Sequence, residues 1–95
     1  MSSVIEAAVA ALQEKVPDGF DGVVKFVLAG EGAIMIDRTG VRAADEEAGV
    51  TLTADAAVFQ AILDGTMNPM AAFMSGKLAV DGSMALAMKL GSALS

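Results

Sequence analysis

The longest stretch of this sequence without a charged residue is twelve residues, from Gly65 to Gly76, although 55% of the chain is hydrophobic. A helix that spans a membrane needs about 20 consecutive apolar residues. A secretory signal is not indicated either, because no basic residue precedes Glu6, which interrupts the first apolar segment. The apolar residues must therefore be distributed over short amphipathic elements. We expect a single soluble, cytoplasmic domain over residues 1–95, without stable membrane insertion.

The residue types that the chain lacks exclude most enzyme chemistries. It contains no histidine, cysteine, tryptophan or tyrosine. Catalytic triads built on histidine, thiol nucleophiles, disulfides and zinc sites built on histidine or cysteine are therefore ruled out. The net charge of −6 argues against binding to nucleic acid or to an anionic lipid surface. We predict a protein that is not an enzyme and that carries no metal and no cofactor.

Hydrophobic periodicity predicts an α+β fold. Apolar residues recur every three or four positions from Ile5 to Val16, which is typical of an amphipathic helix. The full pattern predicts helices at about 3–16, 56–64, 69–75 and 84–93, and strands at about 23–28, 34–36, 41–43, 50–53 and 78–80. Five strands and four helices favour a five-stranded sheet with the helices gathered on one face.

The period-two spacing within the strands also predicts which side chains face the helices. The predicted inward-facing residues are Val24, Phe26, Leu28, Ile34, Ile36, Val50, Leu52, Leu78 and Val80. Lys25 and Thr51 should lie on the opposite face, because a slip of one residue would invert every side chain.

The last predicted helix is more apolar than a helix on a sheet needs to be. At 100° per residue its apolar positions cover an arc of roughly 200°, whereas packing on a sheet buries about 100°. One edge, with Leu86, Leu90 and Leu94, can pack on the sheet. The other edge, with Met84 and Met88, needs a second apolar neighbour.

Three short patterns that could indicate a catalytic, metal or nucleotide site are better explained by local structure. Gly30-Glu31-Gly32 precedes a strand rather than a helix and is typical of a hairpin turn. Adjacent carboxylates at 45–47 point to opposite sides of an extended segment and rarely converge on a cation. Ser75 and Lys77 lack the helical spacing that would bring a nucleophile and its base together.

Methionines are concentrated in the last third of the chain, at positions 67, 70, 74, 84 and 88, next to Phe59 and Phe73. Two interpretations remain open. These residues can be ordinary core, or they can line a deformable apolar cavity, because thioether side chains are flexible and adapt to ligands of variable shape.

At these residues the sequence resembles the sterol carrier protein 2 family. The elements that carry the resemblance appear in order as Met-Asn-Pro at 67–69, Ala-Phe at 72–73, Gly-Lys-Leu at 76–78 and Leu-Ala-Met-Lys-Leu at 86–90. The close match covers 51–90, and a looser match in strand pattern extends back to about Asp21. The resemblance implies a mostly antiparallel, twisted five-stranded sheet with helices on one face that enclose a hydrophobic tunnel.

The resemblance also implies what the tunnel holds. Members of the family bind and move fatty acids, fatty acyl-CoA esters, phospholipids and sterols without chemistry. In many members a tail follows the last helix and can close the cavity. Residue 95 comes directly after the last predicted helix, and the sequence is compatible with either a closed tunnel or an open groove. The last residues, Ala93-Leu94-Ser95, are not a Ser-Lys-Leu-type peroxisomal address.

We therefore expect a cavity between the sheet and the last three helices. The predicted ligand-binding residues are Phe26, Phe59, Ile62, Met70, Phe73, Met74, Met84 and Met88. Lys77 and Lys89 are candidates for meeting a charged lipid head at its mouth, although a solvated surface role is the favoured interpretation for each. The leading hypothesis is a non-enzymatic intracellular carrier of a lipid or acyl chain. The alternative is an interaction module that presents its apolar groove to a lipid-biosynthesis partner or to a second copy, as a homodimer.

Overall fold

The computed structural model describes residues 3–94 and confirms the predicted α+β architecture. In chain order the elements are α1 (Ser3–Lys15), β1 (Val24–Leu28), β2 (Gly32–Asp37), β3 (Gly40–Ala43), β4 (Val50–Ala54), α2 (Ala56–Asp64), α3 (Pro69–Met74), β5 (Ala79–Gly82) and α4 (Met84–Leu94). No helix within residues 3–94 is long and apolar enough to cross a membrane.

The five strands form one sheet in the order β3-β2-β1-β4-β5. The pairs β1–β2, β2–β3 and β4–β5 are antiparallel, which confirms a mostly antiparallel sheet. The central pair β1–β4 is parallel, with Val24 opposite Val50 and Leu28 opposite Ala54. A parallel pair needs a connection that crosses over the sheet. The β1–β4 pair therefore joins the first three strands of the chain to the last two.

The predicted register of the sheet is confirmed. Of the nine residues expected to face the helices, eight are buried, and Val80 is half-buried and packs against the same core. Lys25 and Thr51 lie opposite one another in the parallel pair, one position out of step with the buried residues of their strands. Their side chains therefore lie on the other face of the sheet.

Met35 is fully buried although it alternates with Ile34 and Ile36 and so faces away from the main core. The same face carries Lys25, which lies opposite Met35 in the antiparallel pair of β1 and β2. Because β3 is at one edge and β4 lies beyond β2 and β1, residues 44–49 cross the sheet on the Lys25 face. The Nζ atom of Lys25 contacts the Oδ1 atom of Asp45 at 2.8 Å and ties this segment to the sheet.

Local signals set the boundaries of α2 and the starts of α3 and α4. The Asp55 carboxylate accepts a backbone N–H of α2 at 2.9 Å, and α2 ends at Gly65, whose φ of 80° is left-handed. Asn68 caps α3, with Pro69 at its first position. The Ser83 hydroxyl oxygen accepts a backbone N–H of α4 at 3.2 Å. These caps fix where each helix meets the sheet.

Candidate functional site

An apolar pocket lies between the sheet and the last three helices, where the sequence analysis expects a cavity. It encloses about 240 Å³. Its wall is formed by Phe26, Leu52, Ile62, Asn68, Pro69, Met70, Phe73, Leu78, Val80, Met84, Ala87, Met88, Leu90, Gly91, Ser92 and Leu94. Strands β1, β4 and β5 thus supply the floor, and α2, α3 and α4 supply the sides.

Three methionines at the mouth of this pocket are open to solvent, in contrast to its base. Met70, Met84 and Met88 are 42%, 41% and 53% exposed, whereas Phe26 and Leu90 are 1% and 0% exposed. We call these three residues the methionine rim. The pocket therefore has a fixed aromatic and aliphatic base and flexible thioether side chains at its entrance.

Helix α4 uses its two apolar edges differently, as its wide apolar arc predicts. Leu90 and Leu94 are buried against the core. Met84 and Met88, four residues apart on the other edge, line the pocket and remain partly exposed. The second edge thus faces an opening rather than another element.

A close approach between α4 and two glycines sets how α4 is rotated about its axis. A Cβ atom at Gly22 would lie 2.7 Å from a δ-carbon of Leu86, and one at Gly49 would lie 2.8 Å from the other δ-carbon. Because Gly22 and Gly49 have no side chains, Leu86 packs directly against the backbone at these two glycines. This contact holds the methionine edge of α4 toward the mouth.

The start of α3 closes one side of the pocket. The Asn68 side-chain oxygen accepts the backbone N–H of Met70 at 2.8 Å, so α3 begins at a fixed point. Across the pocket wall, a Cβ atom at Gly91 would lie 3.6 Å from the Cβ atom of Pro69. A methyl group at Gly91 would make an ordinary van der Waals contact with Pro69, so α4 and the first turn of α3 are close neighbours here.

Six of the eight predicted cavity residues are brought together in the pocket wall. They are Phe26, Ile62, Met70, Phe73, Met84 and Met88. Phe59 is not in the wall: it is 2% exposed and packs edge-on behind Phe26, with ring centroids 4.7 Å apart. It supports the floor from behind because α2 turns Ile62, and not Phe59, toward the opening.

Met74 lies outside the pocket and is 79% exposed. The structure does not bring this predicted cavity residue into the pocket wall, and the reason is geometric. Helix α3 meets α4 through Pro69, at its first residue. Met74 is the last residue of α3, at the opposite end from that contact.

Three residues of the wall are predicted by the sequence to be core residues but not cavity residues. Leu52, Leu78 and Val80 are in the inward register of β4 and around β5, and they form part of the pocket floor. Their inward register could have predicted this role. A side chain that faces α3 and α4 from the sheet must either fill the gap between sheet and helices or line it.

Among the described residues that form the wall, none is acidic or basic, and the polar ones are Asn68 and Ser92. Neither candidate lysine is part of it. Lys89 donates to the backbone oxygen of Asp21 at 3.0 Å and lies 5.5 Å from the centre of the Phe20 ring. Lys77 borders a different, shallow depression beside α2. An apolar chain fits this wall, and a charged head would have to remain outside it.

The carboxylates of the described part of the chain form no group of three or more that could hold a metal ion. Asp21 and Asp37 are each paired with arginine or lysine. The Thr39 hydroxyl and the Arg42 guanidinium donate to Asp37 and lower the pKa of its carboxyl. Arg38 and Lys89 do the same for the pKa of Asp21. These pairs lie outside the pocket wall.

Comparison with known proteins agrees with this geometry. The profile of the SCP-2 sterol transfer family matches residues 5–95. Human sterol carrier protein 2 is 39% identical over 80 residues, which cover 80% of this chain and 14% of the human protein. Hydroxysteroid dehydrogenase-like protein 2 of Xenopus laevis is 32% identical over 98 residues, covering 95% of this chain and 24% of that protein. The chain thus spans about a quarter or less of the length of these relatives.

A solved structure shows the same fold. The solution structure of sterol carrier protein 2 from Aedes aegypti, in complex with the C16 fatty acid palmitate, superimposes with a TM-score of 0.75. The two sequences are 21% identical, and the match covers all of both chains. The profile match over nearly the whole chain, together with this fold, shows that the chain belongs to the SCP-2 sterol transfer family.

Proposed function

We propose that this chain is a non-enzymatic carrier that binds the apolar tail of a lipid in the pocket between the sheet and α2–α4. The observation that carries the proposal is an uncharged apolar pocket with a buried base and an entrance made of flexible methionines. Family membership and the palmitate complex of the Aedes aegypti relative support it.

The size of the pocket decides how the tail is held. Pockets for drug-sized ligands enclose roughly 300–1,000 Å³, so 240 Å³ takes part of a long acyl chain. The rest of the chain lies along the methionine rim, whose side chains can change rotamer. Burial of about eight to ten methylenes contributes roughly 6–8 kcal/mol before the costs of ordering. Hydrophobic burial alone can therefore hold the ligand.

The proposal that the chain is not an enzyme rests on the chemistry of this wall. General acid–base catalysis needs a titratable group within hydrogen-bond reach of the reacting atoms. None of the side chains that the described residues contribute to the pocket is titratable. A ligand bound here is held and released unchanged.

A second candidate function is favoured by the apolar surface next to the mouth. The methionine rim and the 79% exposed Met74 give an apolar area that a protein partner or a second copy can cover. In this case the pocket is a recognition groove rather than a ligand cavity.

Native mass spectrometry of the lipid-extracted chain, with and without added palmitate, distinguishes the two functions. A carrier gains the mass of one ligand and stays monomeric, whereas self-association doubles the protein mass. A short-chain acid serves as the control, since it has too few methylenes to bind. The carrier function is rejected if palmitate adds no mass under conditions that keep the protein folded by circular dichroism.

A further inference from the structure

The methionines of this chain differ sharply in how far their residues are exposed to solvent. Met35 is completely buried on the far face of the sheet, whereas the methionine rim is 41–53% exposed and lines the pocket. Met74 is more exposed still and lies outside the pocket. A methionine can therefore be exposed without lining the pocket, as Met74 is, or both exposed and part of the wall, as the rim is.

The chain contains no cysteine, so methionine thioethers are the sulfur groups that a peroxide can oxidise. The sulfur attacks one oxygen of hydrogen peroxide, the O–O bond breaks, and water leaves. The thioether becomes a sulfoxide and the peroxide is reduced by the same two electrons. The product is polar and carries a hydrogen-bond acceptor that the apolar wall cannot satisfy.

We propose that the methionine rim is a reversible oxidation site that controls whether the pocket holds an apolar chain. Oxidation of Met70, Met84 and Met88 turns the apolar entrance into a polar one, which weakens binding of the tail. A bound tail in turn covers the three sulfur atoms and slows their oxidation. The inference rests on the proposed lipid-binding function and adds a modification site and its effect.

The geometry explains why the rim, and not another methionine, carries this effect. Met84 and Met88 lie one helical turn apart on the edge of α4 that borders the mouth, and Met70 lies across from them at the start of α3. A ligand that enters the pocket must pass between these side chains. Sulfoxides at Met74 change the surface without changing this passage.

The test uses hydrogen peroxide and a fluorescent C16 fatty acid. The chain is treated with and without the bound probe, peptide mass spectrometry locates the sulfoxides, and probe affinity is measured before and after treatment. We expect sulfoxides at the rim and at Met74 but not at Met35. Affinity should fall at least about tenfold, and bound probe should slow oxidation of the rim while leaving Met74 unaffected.

Two variants separate the rim from the rest of the surface. In the triple variant Met70→Leu, Met84→Leu and Met88→Leu, peroxide should leave the affinity at that variant's own untreated value. In the matched control Met74→Leu, peroxide should reduce affinity as much as in the parent. Methionine sulfoxide reductases of both stereospecificities should restore binding in the parent.

The outcomes that overturn the inference are distinct from failure of the proposed function. If the untreated parent binds no probe, the proposed function itself is rejected. If the parent binds the probe but oxidised rim residues leave affinity unchanged, or if the triple variant loses affinity like the parent, the inference alone is rejected. Loss of the circular dichroism signal in parallel with binding also overturns it, because the effect would then be unfolding rather than a change at the entrance.

Discussion

The ring of Phe59 stands edge-on to the ring of Phe26, with centroids 4.7 Å apart and an interplanar angle of 73°. Only Phe26 reaches the pocket wall, while Phe59 lies behind it on α2. Edge-to-face aromatic pairs contribute about 0.5–1.5 kcal/mol beyond the area that they bury. This pair joins α2 to the central strand and holds the base of the pocket in place.

Replacing Phe59 by leucine should therefore lower the free energy of unfolding by about 1–3 kcal/mol, through loss of the aromatic contact and a small cavity. Urea denaturation measures the change. The control is Met74→Leu, which alters an exposed side chain and should change stability by less than about 0.5 kcal/mol. Equal stability of Phe59→Leu and the parent would show that the ring pair does not support the floor.

Met84→Asp should lower affinity for a C16 fatty acid at least tenfold, because it puts a carboxylate at an apolar entrance. The fold should survive, since residue 84 is in the first turn of α4, where a negative charge is favourable. Fluorescence titration measures the affinity and circular dichroism checks the fold.

The matched control is Met74→Asp, which changes the net charge equally but lies outside the pocket. It should bind like the parent. If a folded Met84→Asp protein binds as tightly as Met74→Asp, the acyl chain does not pass this entrance.

Gly91→Ala should stabilise the protein by about 0.5–1 kcal/mol, because alanine loses less backbone entropy in a helix interior. The added Cβ atom meets Pro69 at 3.6 Å, an ordinary van der Waals distance, so strain should be small. The same methyl group narrows the pocket, and affinity for the longest acyl chains should decrease. Thermal unfolding and titration with acids of increasing length check both effects, and a destabilised variant would contradict the spacing of α3 and α4.

The pH dependence of stability should reveal the Asp37 site, whose side chain is 17% exposed. Hydrogen bonds from Thr39 and Arg42 lower its pKa from the ordinary 3.8. The folded protein then binds fewer protons than the unfolded chain, so this stabilisation is present above pH 3.8 and is lost as the pH falls through the lowered pKa.

The variant Asp37→Asn should consequently be less stable than the parent at neutral pH, and the difference should shrink as the pH falls below 3.8. Urea denaturation across this range measures it. A difference that stays constant with pH would mean that the carboxylate charge does not contribute.

Much of the sheet could be predicted from local pattern, because alternation within a strand determines which side chains are buried. The inward register of β1 and β4 follows from this alternation. The parallel pairing of these two strands could not be derived in the same way, since no local signal says which strands become neighbours. The complete burial of Met35 is likewise not indicated by alternation, because its side chain faces away from the main core.

The site was predictable where one helix carried the signal. The wide apolar arc of α4 places Met84 and Met88 at an opening, and the structure brings both into the pocket wall. Met74 was misplaced because its neighbours depend on which end of α3 meets α4. The role of Phe59 behind Phe26 likewise depends on how α2 docks on the sheet, which residue spacing alone does not determine.

The parallel pairing of β1 with β4 also has a kinetic consequence. Val24 is 26 positions from its partner Val50, whereas Leu28 is four positions from Gly32 in the hairpin with β2. Pairs that are distant in sequence form slowly, because the chain loses the entropy of closing a long loop before the stabilising contacts form. Most of the pocket wall follows β4 in the chain, so we expect the cavity to be completed after the rate-limiting step. A ligand should then slow unfolding and leave the folding rate unchanged, moving only the unfolding arm of a chevron plot.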